Sequence, residues 1–146
     1  RAVMASLVES LRRHPASAHL AGPRVLQCPP GQELAEQTLA LLRAAGFSVT
    51  RATDIARTAM QTAIMLVTEQ AGAEPGVPAE QRDAVRAAKH AAIAGLPRER
   101  FPNLVACADA LTDCEDEDAY YDFGTDLFVA GVDRLHASVK RHNRKA

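Results

Sequence analysis

The segment AYYDFGTDLFVAGVDRL, residues 119–135, constrains the fold most, because it predicts a helix that one core cannot cover. At about 100° per residue its apolar side chains fill an arc of roughly 200°, about twice what a helix needs to dock on one core. Asp122, Asp126 and Asp133 take most of the remaining side. Gly124 and Gly131 each cost roughly 1 kcal/mol relative to alanine inside a helix, so we expect them to allow close approach by another helix. The segment therefore predicts a helix with two packing partners.

The helix predicted for residues 50–70 has the same surplus of apolar surface. Its apolar side chains, which include Ile55, Met60 and Val67, form more than one stripe, and such a helix packs against several partners. Two explanations remain open for the pair of helices. They pack against the same two helices of a second copy in an intersubunit four-helix bundle, or a larger core within one protomer encloses both.

The rest of the chain is also helical by pattern, and we expect an all-α bundle of about six to seven helices. Alanine, the best helix former, is abundant, and runs of β-branched residues are missing. Apolar spacing and proline or glycine boundaries predict helices over residues 3–11, 15–21, 32–45, 50–70, 79–94, 102–111 and 119–142. The segment GPRVLQCPPG, residues 22–31, has turn formers at both ends and is expected to be a loop.

Composition argues against several classes of function. The 17 basic and 18 acidic residues nearly cancel, so nothing in the charge balance indicates nucleic acid as a partner of this chain. Tryptophan is absent and aromatic residues make up 4% of the chain, which argues against base-stacking surfaces. We expect no membrane partner, because no apolar run has membrane-spanning length and no signal peptide is present. Three cysteines without a CxxC pair are typical of a reduced, cytoplasmic protein.

The sequence contains no catalytic constellation and no cofactor motif, so we expect neither an enzyme nor a bound cofactor. GxSxG, P-loop and GxGxxG motifs are all missing. His14 and His19 are five residues apart, off the i, i+4 face that metal-binding pairs use, so no metal site is expected. Two alternatives remain open: a small helical enzyme, which would need clustered titratable groups with shifted pKa values, and a helical adaptor module without a ligand.

Scattered polar residues interrupt otherwise apolar helix faces. Thr38 lies beside Leu39 in the third predicted helix, and Thr53, Met60 and Gln61 interrupt the fourth. Apolar walls with a few polar groups are typical of small-molecule pockets, and methionine adds an adaptable shape. The pattern favours a binding site for a small molecule that the sequence does not identify.

Ordered motifs along the chain resemble one family, the regulatory domain of TetR-type repressors. YYDFGTDLFVAGVDRL, residues 120–135, is similar to the last helix of that domain, which reads aromatic-x-Phe-Gly-Leu-x-Leu before a second glycine. LLRAAGFSVTRATDIA, residues 41–56, is similar to its central element, in which a helix and Gly-Phe precede a long helix. VTEQ, RHPASAHL, CPPG and LPRERFPNL also fit, so the resemblance spans nearly the whole chain.

The resemblance implies that residues 1–146 form a single effector-binding and dimerisation domain of a TetR-family transcriptional regulator. The helix-turn-helix DNA-binding domain of that family lies upstream, so here it would precede Arg1 and be absent from this chain. DNA would be contacted only through that domain. An unidentified small-molecule effector would alter DNA binding, with the first helix, Val3 to Arg13, as the link and the His14–Pro15 break as the hinge. The expected partner is a second copy, in a cytoplasmic homodimer.

The resemblance also implies functional positions, counted from Gly46–Phe47. A lid contribution falls on Val105, and the other ligand-binding positions fall on Ala35, Thr38, Leu39, Thr53, Ala56, Met60 and Gln61. Tetracycline-binding members hold a magnesium-chelated drug with a histidine whose position falls here near Pro23 or Arg24. His19 is several residues away from it, so that ligand is not expected. The residues expected to meet the second copy are Ile55, Thr62, Leu66, Tyr120, Gly124, Leu127, Phe128, Gly131 and Leu135.

Overall fold

The computed structural model describes residues 1–74 and 76–143, and every regular element within these ranges is helical. The described α-helices are α1 (Ala2–Arg12), α2 (Ala18–Arg24), α3 (Pro29–Ala44), α4 (Val49–Thr68), α5 (Ala79–Ala94), α6 (Pro102–Ala106), α7 (Ala108–Thr112) and α8 (Glu117–Asn143). Two short 3-10 turns, Pro15–Ser17 and Val25–Gln27, flank α2. The all-α prediction is confirmed. One helix predicted over residues 102–111 is replaced by α6 and α7, which are separated at Cys107.

The turn between α3 and α4 is specified by its local sequence. Gly46 has a left-handed φ of 91°, and its N–H donates to the carbonyl of Arg43 at 2.9 Å. The N–H of Phe47 donates to the carbonyl of Leu42 at 3.2 Å, which completes a Schellman motif. Ser48 then caps α4, because its hydroxyl accepts a backbone N–H of the first turn at 3.2 Å. Together these bonds reverse the chain, so that α3 lies along α4.

The predicted loop at residues 22–31 is wrong for most of its length. α2 continues through Pro23, and Pro29 and Pro30 occupy the first positions of α3. A proline in the first turn of a helix removes no hydrogen bond, because the N–H groups there have no partner within the helix. A Cβ atom at Gly31 would overlap the backbone of Val25, so this glycine lets the start of α3 pack directly on the 3-10 turn.

α4 lies at the centre of the fold, with α1, α2, α3 and α8 packed around it. One core cluster joins α1, α2, α4 and α8, with Ala63 and Tyr121 among its buried members. A second cluster, built on Phe47, Ala52 and Ile55, joins the α3–α4 turn to α4 and packs against α8. The prediction that this helix contacts several partners is confirmed.

Helices α5, α6 and α7 pack mainly on one another. No residue of α5 is buried, and its alanines are all exposed. Side-chain ion pairs also join α5 to neighbouring segments, from Arg86 to Asp113 at 2.9 Å, from Lys89 to Glu74 at 2.7 Å and from His90 to Asp109 at 2.8 Å. Within the described ranges, no helix combines the length and the apolar character that a membrane span requires.

Candidate functional site

A cavity of about 600 Å³ lies between α4 and the helices that surround it. Its walls come from α1, α2 with the following 3-10 turn, α3, α4 and the middle of α8. Met4 and Ile55 are buried and line its inner part, whereas Leu26 and Leu41 are exposed and line its mouth. Most lining residues are apolar. The volume is in the range typical of small-molecule pockets.

The α4 wall of the cavity includes two apolar rows and one polar row, and Ile55 and Ala59 form the first apolar row. Ala56, Met60 and Ile64 recur every four residues and form the second apolar row. Thr53 and Gln61 belong to the polar row, which has the same spacing, and Arg57 lies between them. Residues four apart lie one above the other on a helix, so one element supplies both an apolar surface and a polar edge.

The hydroxyl groups of the cavity wall already donate their hydrogen atoms within their own helices. Thr38 donates to the carbonyl of Leu34 at 2.8 Å, and Thr53 donates to the carbonyl of Val49 at 3.0 Å. Each hydroxyl oxygen can therefore only accept a hydrogen bond from a bound molecule. Gln61 makes no hydrogen bond through its side chain within the described part of the chain, so its amide can both donate and accept.

The structure brings together the ligand-binding positions expected on the third and fourth predicted helices. All of them line the cavity: Ala35, Thr38, Leu39, Thr53, Ala56, Met60 and Gln61. Val105 does not line it; this residue is half-buried in α6. His19, Pro23 and Arg24 are exposed and also lie outside the lining.

Sequence reasoning missed the contributions of three other elements to the cavity. α1 supplies Arg1, Val3, Met4 and Leu7, the α2 region supplies Gly22, Val25 and Leu26, and α8 supplies Phe128, Val129, Val132 and Asp133. The apolar spacing in α1 was visible in the sequence as a core-facing row. Periodicity shows that such a row faces the interior of the protein. It does not show whether the row packs against other side chains or lines a cavity.

The apolar arc of α8 divides into an inner face and an outer face. Tyr121, Phe128 and Val132 face the protomer's own core. Phe123 and Leu127 point outward and are 69% and 64% exposed. We use the term outer face for the half-buried or exposed residues on the outward sides of α4 and α8: Thr62, Met65, Tyr120, Phe123, Leu127, Gly131 and Leu135.

Five of the residues expected to meet a second copy also contact their own protomer: Ile55, Leu66, Tyr120, Gly124 and Phe128. Ile55 is only 7% exposed and Phe128 packs against both core clusters, because each lies between α4 and α8. A Cβ atom at Gly124 would overlap the Cδ atoms of Leu66, so this glycine permits close approach of α8 to α4 within one chain. A Cβ atom at Gly131 would meet nothing within 4 Å, and this position is open on the outer face.

Two arginines attach α1 to α8. Arg1 donates to Asp122 at 2.8 Å and also to Asp126, and these bonds raise the pKa of its guanidinium. Arg12 donates to Asp118 at 2.8 Å, and this bond, the largest of several effects, raises the pKa of Arg12. α1, which also lines the cavity, is thus connected to α8 near both of its ends.

Tyr121 connects the same helices to the end of α4. Its hydroxyl donates to Oε1 of Gln70 at 2.6 Å, and the guanidinium of Arg12 lies 4.3 Å from the centre of its ring. Burial raises the pKa of the phenol, and the positive charge of Arg12 opposes this effect. Burial also raises the pKa of the neighbouring Tyr120.

No group of three or more His, Cys, Asp or Glu side chains comes together among residues 1–74 and 76–143 in a way that could hold a metal ion. The three cysteines are free thiols. The arrangement of the cavity can therefore be described without a metal ligand set: it offers an apolar volume, hydrogen-bond acceptors on two threonines and a polar edge at its mouth.

Comparison with known proteins gives one match. Residues 2–135 match the family model for a tetracyclin repressor-like, C-terminal domain, which covers nearly the whole chain. No curated protein and no solved structure matches the chain significantly.

Proposed function

Because the chain belongs to the tetracyclin repressor-like C-terminal domains, the regulatory domains of TetR-family transcription regulators, we propose that its cavity binds a small-molecule effector. Binding would change how a DNA-binding domain of the same regulator engages its operator. One observation carries the proposal: about 600 Å³ of largely apolar volume lies beside the central helix. A largely apolar volume of this size is typical of small-molecule pockets, which supports a binding function.

The contacts of α1 support a route from the cavity to the rest of a regulator. Val3, Met4 and Leu7 line the cavity on one side of α1, and Arg1 and Arg12 hold this helix to α8. A ligand shifts a conformational equilibrium only when it binds one state better than the other. We propose that an effector favours one position of α1 relative to α8, and that this position sets the geometry of the attached DNA-binding domain.

The outer face supports the proposal that the domain works as a homodimer. It places three large apolar side chains, Phe123, Leu127 and Met65, in solvent on adjacent helices. Contiguous exposed apolar patches on soluble proteins mark interaction sites, and a twofold contact lets the same patch cover itself. We propose that α4 and α8 of one protomer pack against α4 and α8 of its partner, with Gly131 at the contact.

A thermal-shift screen of small apolar compounds tests the effector proposal. A ligand that binds only the folded chain raises the melting temperature, so we expect hits for the wild-type protein. Met60→Trp fills the cavity and should abolish the shift. Val49→Trp is the matched control, because Val49 is an exposed residue of α4 outside the cavity lining, and this variant should respond like wild type.

Two outcomes of the screen count against the effector proposal. If no compound raises the melting temperature, an adaptor module without a ligand becomes the better explanation. If hits are found but Met60→Trp responds to them as strongly as Val49→Trp, the ligand binds elsewhere and the assignment of the cavity fails.

A further inference from the structure

The polar row of α4 determines which kind of molecule fits the cavity. Thr53, Arg57 and Gln61 follow one edge of the cavity at intervals of four residues, and the row is about 12 Å long at 1.5 Å per residue. The apolar row that contains Met60 runs beside it, toward the interior. A molecule lying along α4 therefore meets an apolar surface on one side and hydrogen-bonding groups on the other.

Exposure separates the inner part of the cavity from its mouth. Met4 and Ile55 are buried, whereas Arg57, Gln61 and Asp133 are exposed. Removing a charged group from water costs free energy unless the group is paired. A molecule that fills this cavity is therefore bound with its apolar body inside and its polar head at the mouth.

Of the charged side chains at the mouth, one already forms ion pairs and two do not. The guanidinium of Arg1 is occupied by two aspartates of α8. Arg57 and Asp133 form no ion pair within the ranges that the structure describes. Asp54, one turn before Arg57, does not line the cavity. One arginine and one aspartate are thus available to a ligand.

Arg57 is better placed than Asp133 to bind a head group. Gln61 lies one turn further along the same edge and adds N–H donors beside the guanidinium. A guanidinium also binds a carboxylate through two parallel hydrogen bonds. Asp133 lacks such support: of the residues three or four positions away on α8, Val129, Ala130 and Ala137 are apolar, and the ring of His136 packs against Phe47. The local chemistry favours a ligand with a negative charge.

We propose that the effector is an amphipathic carboxylic acid, with its apolar body along Met60 and its carboxylate bound by Arg57 and Gln61. This inference rests on the proposed function of the cavity and adds the chemical class of the ligand. It makes Arg57 the residue that determines specificity for charge, while Met60 and its row bind the body of any apolar ligand equally.

Three probes with the same ten-carbon body and different head groups test this proposal. Decanoate, decan-1-ol and decylammonium are titrated into the purified chain by calorimetry, below the concentrations at which they form micelles. Decanoate should bind about tenfold or more tighter than decan-1-ol, because it adds charge-assisted hydrogen bonds.

Variants of Arg57 test the same assignment. Arg57→Gln should lower the affinity for decanoate to that for decan-1-ol and leave the affinity for decan-1-ol unchanged. Arg57→Lys should restore part of the difference between the two affinities. Arg51→Gln, at an exposed position of α4 outside the cavity, is the matched control and should bind like wild type.

The possible failures are distinguishable. Equal affinity for the three probes, or a preference for decylammonium that Asp133→Asn removes, overturns the carboxylate assignment and leaves the cavity as an effector site. If none of the probes binds while the thermal-shift screen gives hits sensitive to Met60→Trp, the carboxylate proposal is also overturned and the proposed function stands. If the thermal-shift screen also gives no hit, both the carboxylate proposal and the proposed function are contradicted.

Discussion

At the scale of single residues, the two glycines of α8 have different neighbours although both lie in one seam of the helix. Gly124 faces Leu66 of α4, and Gly131 faces open space. Their positions are about 10 Å apart along the axis, and two helices that cross at an angle approach closely at one level only. The sequence predicted close approach of another helix at both glycines, but its periodicity carries no information about the level at which α4 and α8 cross.

Alanine substitutions distinguish the roles of the two glycines. At protein concentrations low enough to keep the protomers separate, Gly131→Ala should raise the free energy of unfolding by about 0.5–1 kcal/mol, because alanine favours the helix and its Cβ meets no atom of the protomer. Gly124→Ala gains the same propensity but forces Leu66 to move, so it should be about 1–2 kcal/mol less stable than Gly131→Ala. Urea unfolding of both variants at one protein concentration measures the difference. Equal stabilities would show that α8 does not approach α4 closely at Gly124.

The raised pKa of the Tyr121 phenol predicts that the folded protein loses stability at alkaline pH. Burial raises the pKa of Tyr120 and Tyr121 above the ordinary value of 10.0, so the folded state favours the neutral phenols. The neutral phenols stabilise the folded state fully below the unfolded pKa of about 10, and this stabilisation is lost as the pH rises through the raised pKa of the folded state.

The variant Tyr121→Phe tests this expectation. It should lower the free energy of unfolding by about 1 kcal/mol at neutral pH, because the hydrogen bond to Gln70 is lost. The variant should also lose less stability than wild type between neutral and alkaline pH in urea unfolding. An identical alkaline loss in both proteins would contradict the burial of this phenol.

The sequence pattern identified some of the polar residues that line the cavity and missed others. Thr38, Thr53 and Gln61 stood out because polar residues interrupted apolar helical rows, and all three line the cavity. Arg57 did not stand out, because an arginine one turn from other polar residues is typical of a solvated helix face. Its place at the mouth follows from how α2 and α3 pack on α4, which is a property of the tertiary structure.

At the scale of helices, most boundaries were predictable because caps and breakers are local. Gly46 and Gly95 follow the ends of α3 and α5, as the sequence predicted. The region around Pro23 and Pro29 was predicted as a loop because prolines were taken as breakers. The start of α3 packs on the 3-10 turn Val25–Gln27 instead, which requires a glycine at position 31 and includes a hydrogen bond from Gln32 to the carbonyl of Leu26.

Helix α5 should be the first of the long helices to open. It has no buried residue, and its contacts with neighbouring segments include three ion pairs with partly exposed groups. Surface ion pairs contribute little and are screened by salt. In hydrogen exchange, amides of α5 should exchange faster than those of α4, which buries Ala52 and Ala63, and the difference should grow in about 1 M salt. Protection of α5 equal to that of α4 would contradict this expectation.

At the scale of the whole molecule, the outer face determines whether the protein associates. Leu127→Glu places a charge in the proposed contact in both copies, so it should weaken the dimer about a hundredfold or more. Leu111→Glu is the matched control, because Leu111 is a 51% exposed leucine of α7 outside the outer face. Sedimentation equilibrium should show a dimer for wild type and for the control, and a monomer for Leu127→Glu. A Leu127→Glu protein that remains as dimeric as the control would place the contact elsewhere.

The family, the fold and the cavity together make ligand binding beside α4 the central proposal. The chain's three methionines report on it directly. Met4 and Met60 line the cavity, whereas Met65 lies on the outer face and is 55% exposed. Methyl-labelled methionine therefore gives one NMR signal for each of two cavity positions and one reference signal.

The most direct measurement is a titration of methyl-labelled protein with the compound that gives the largest thermal shift. Effector binding in the cavity should move the methyl resonances of Met4 and Met60 and leave that of Met65 nearly unchanged. A titration that moves Met65 while Met4 and Met60 stay in place would show that the ligand binds outside the cavity and would contradict the proposed function.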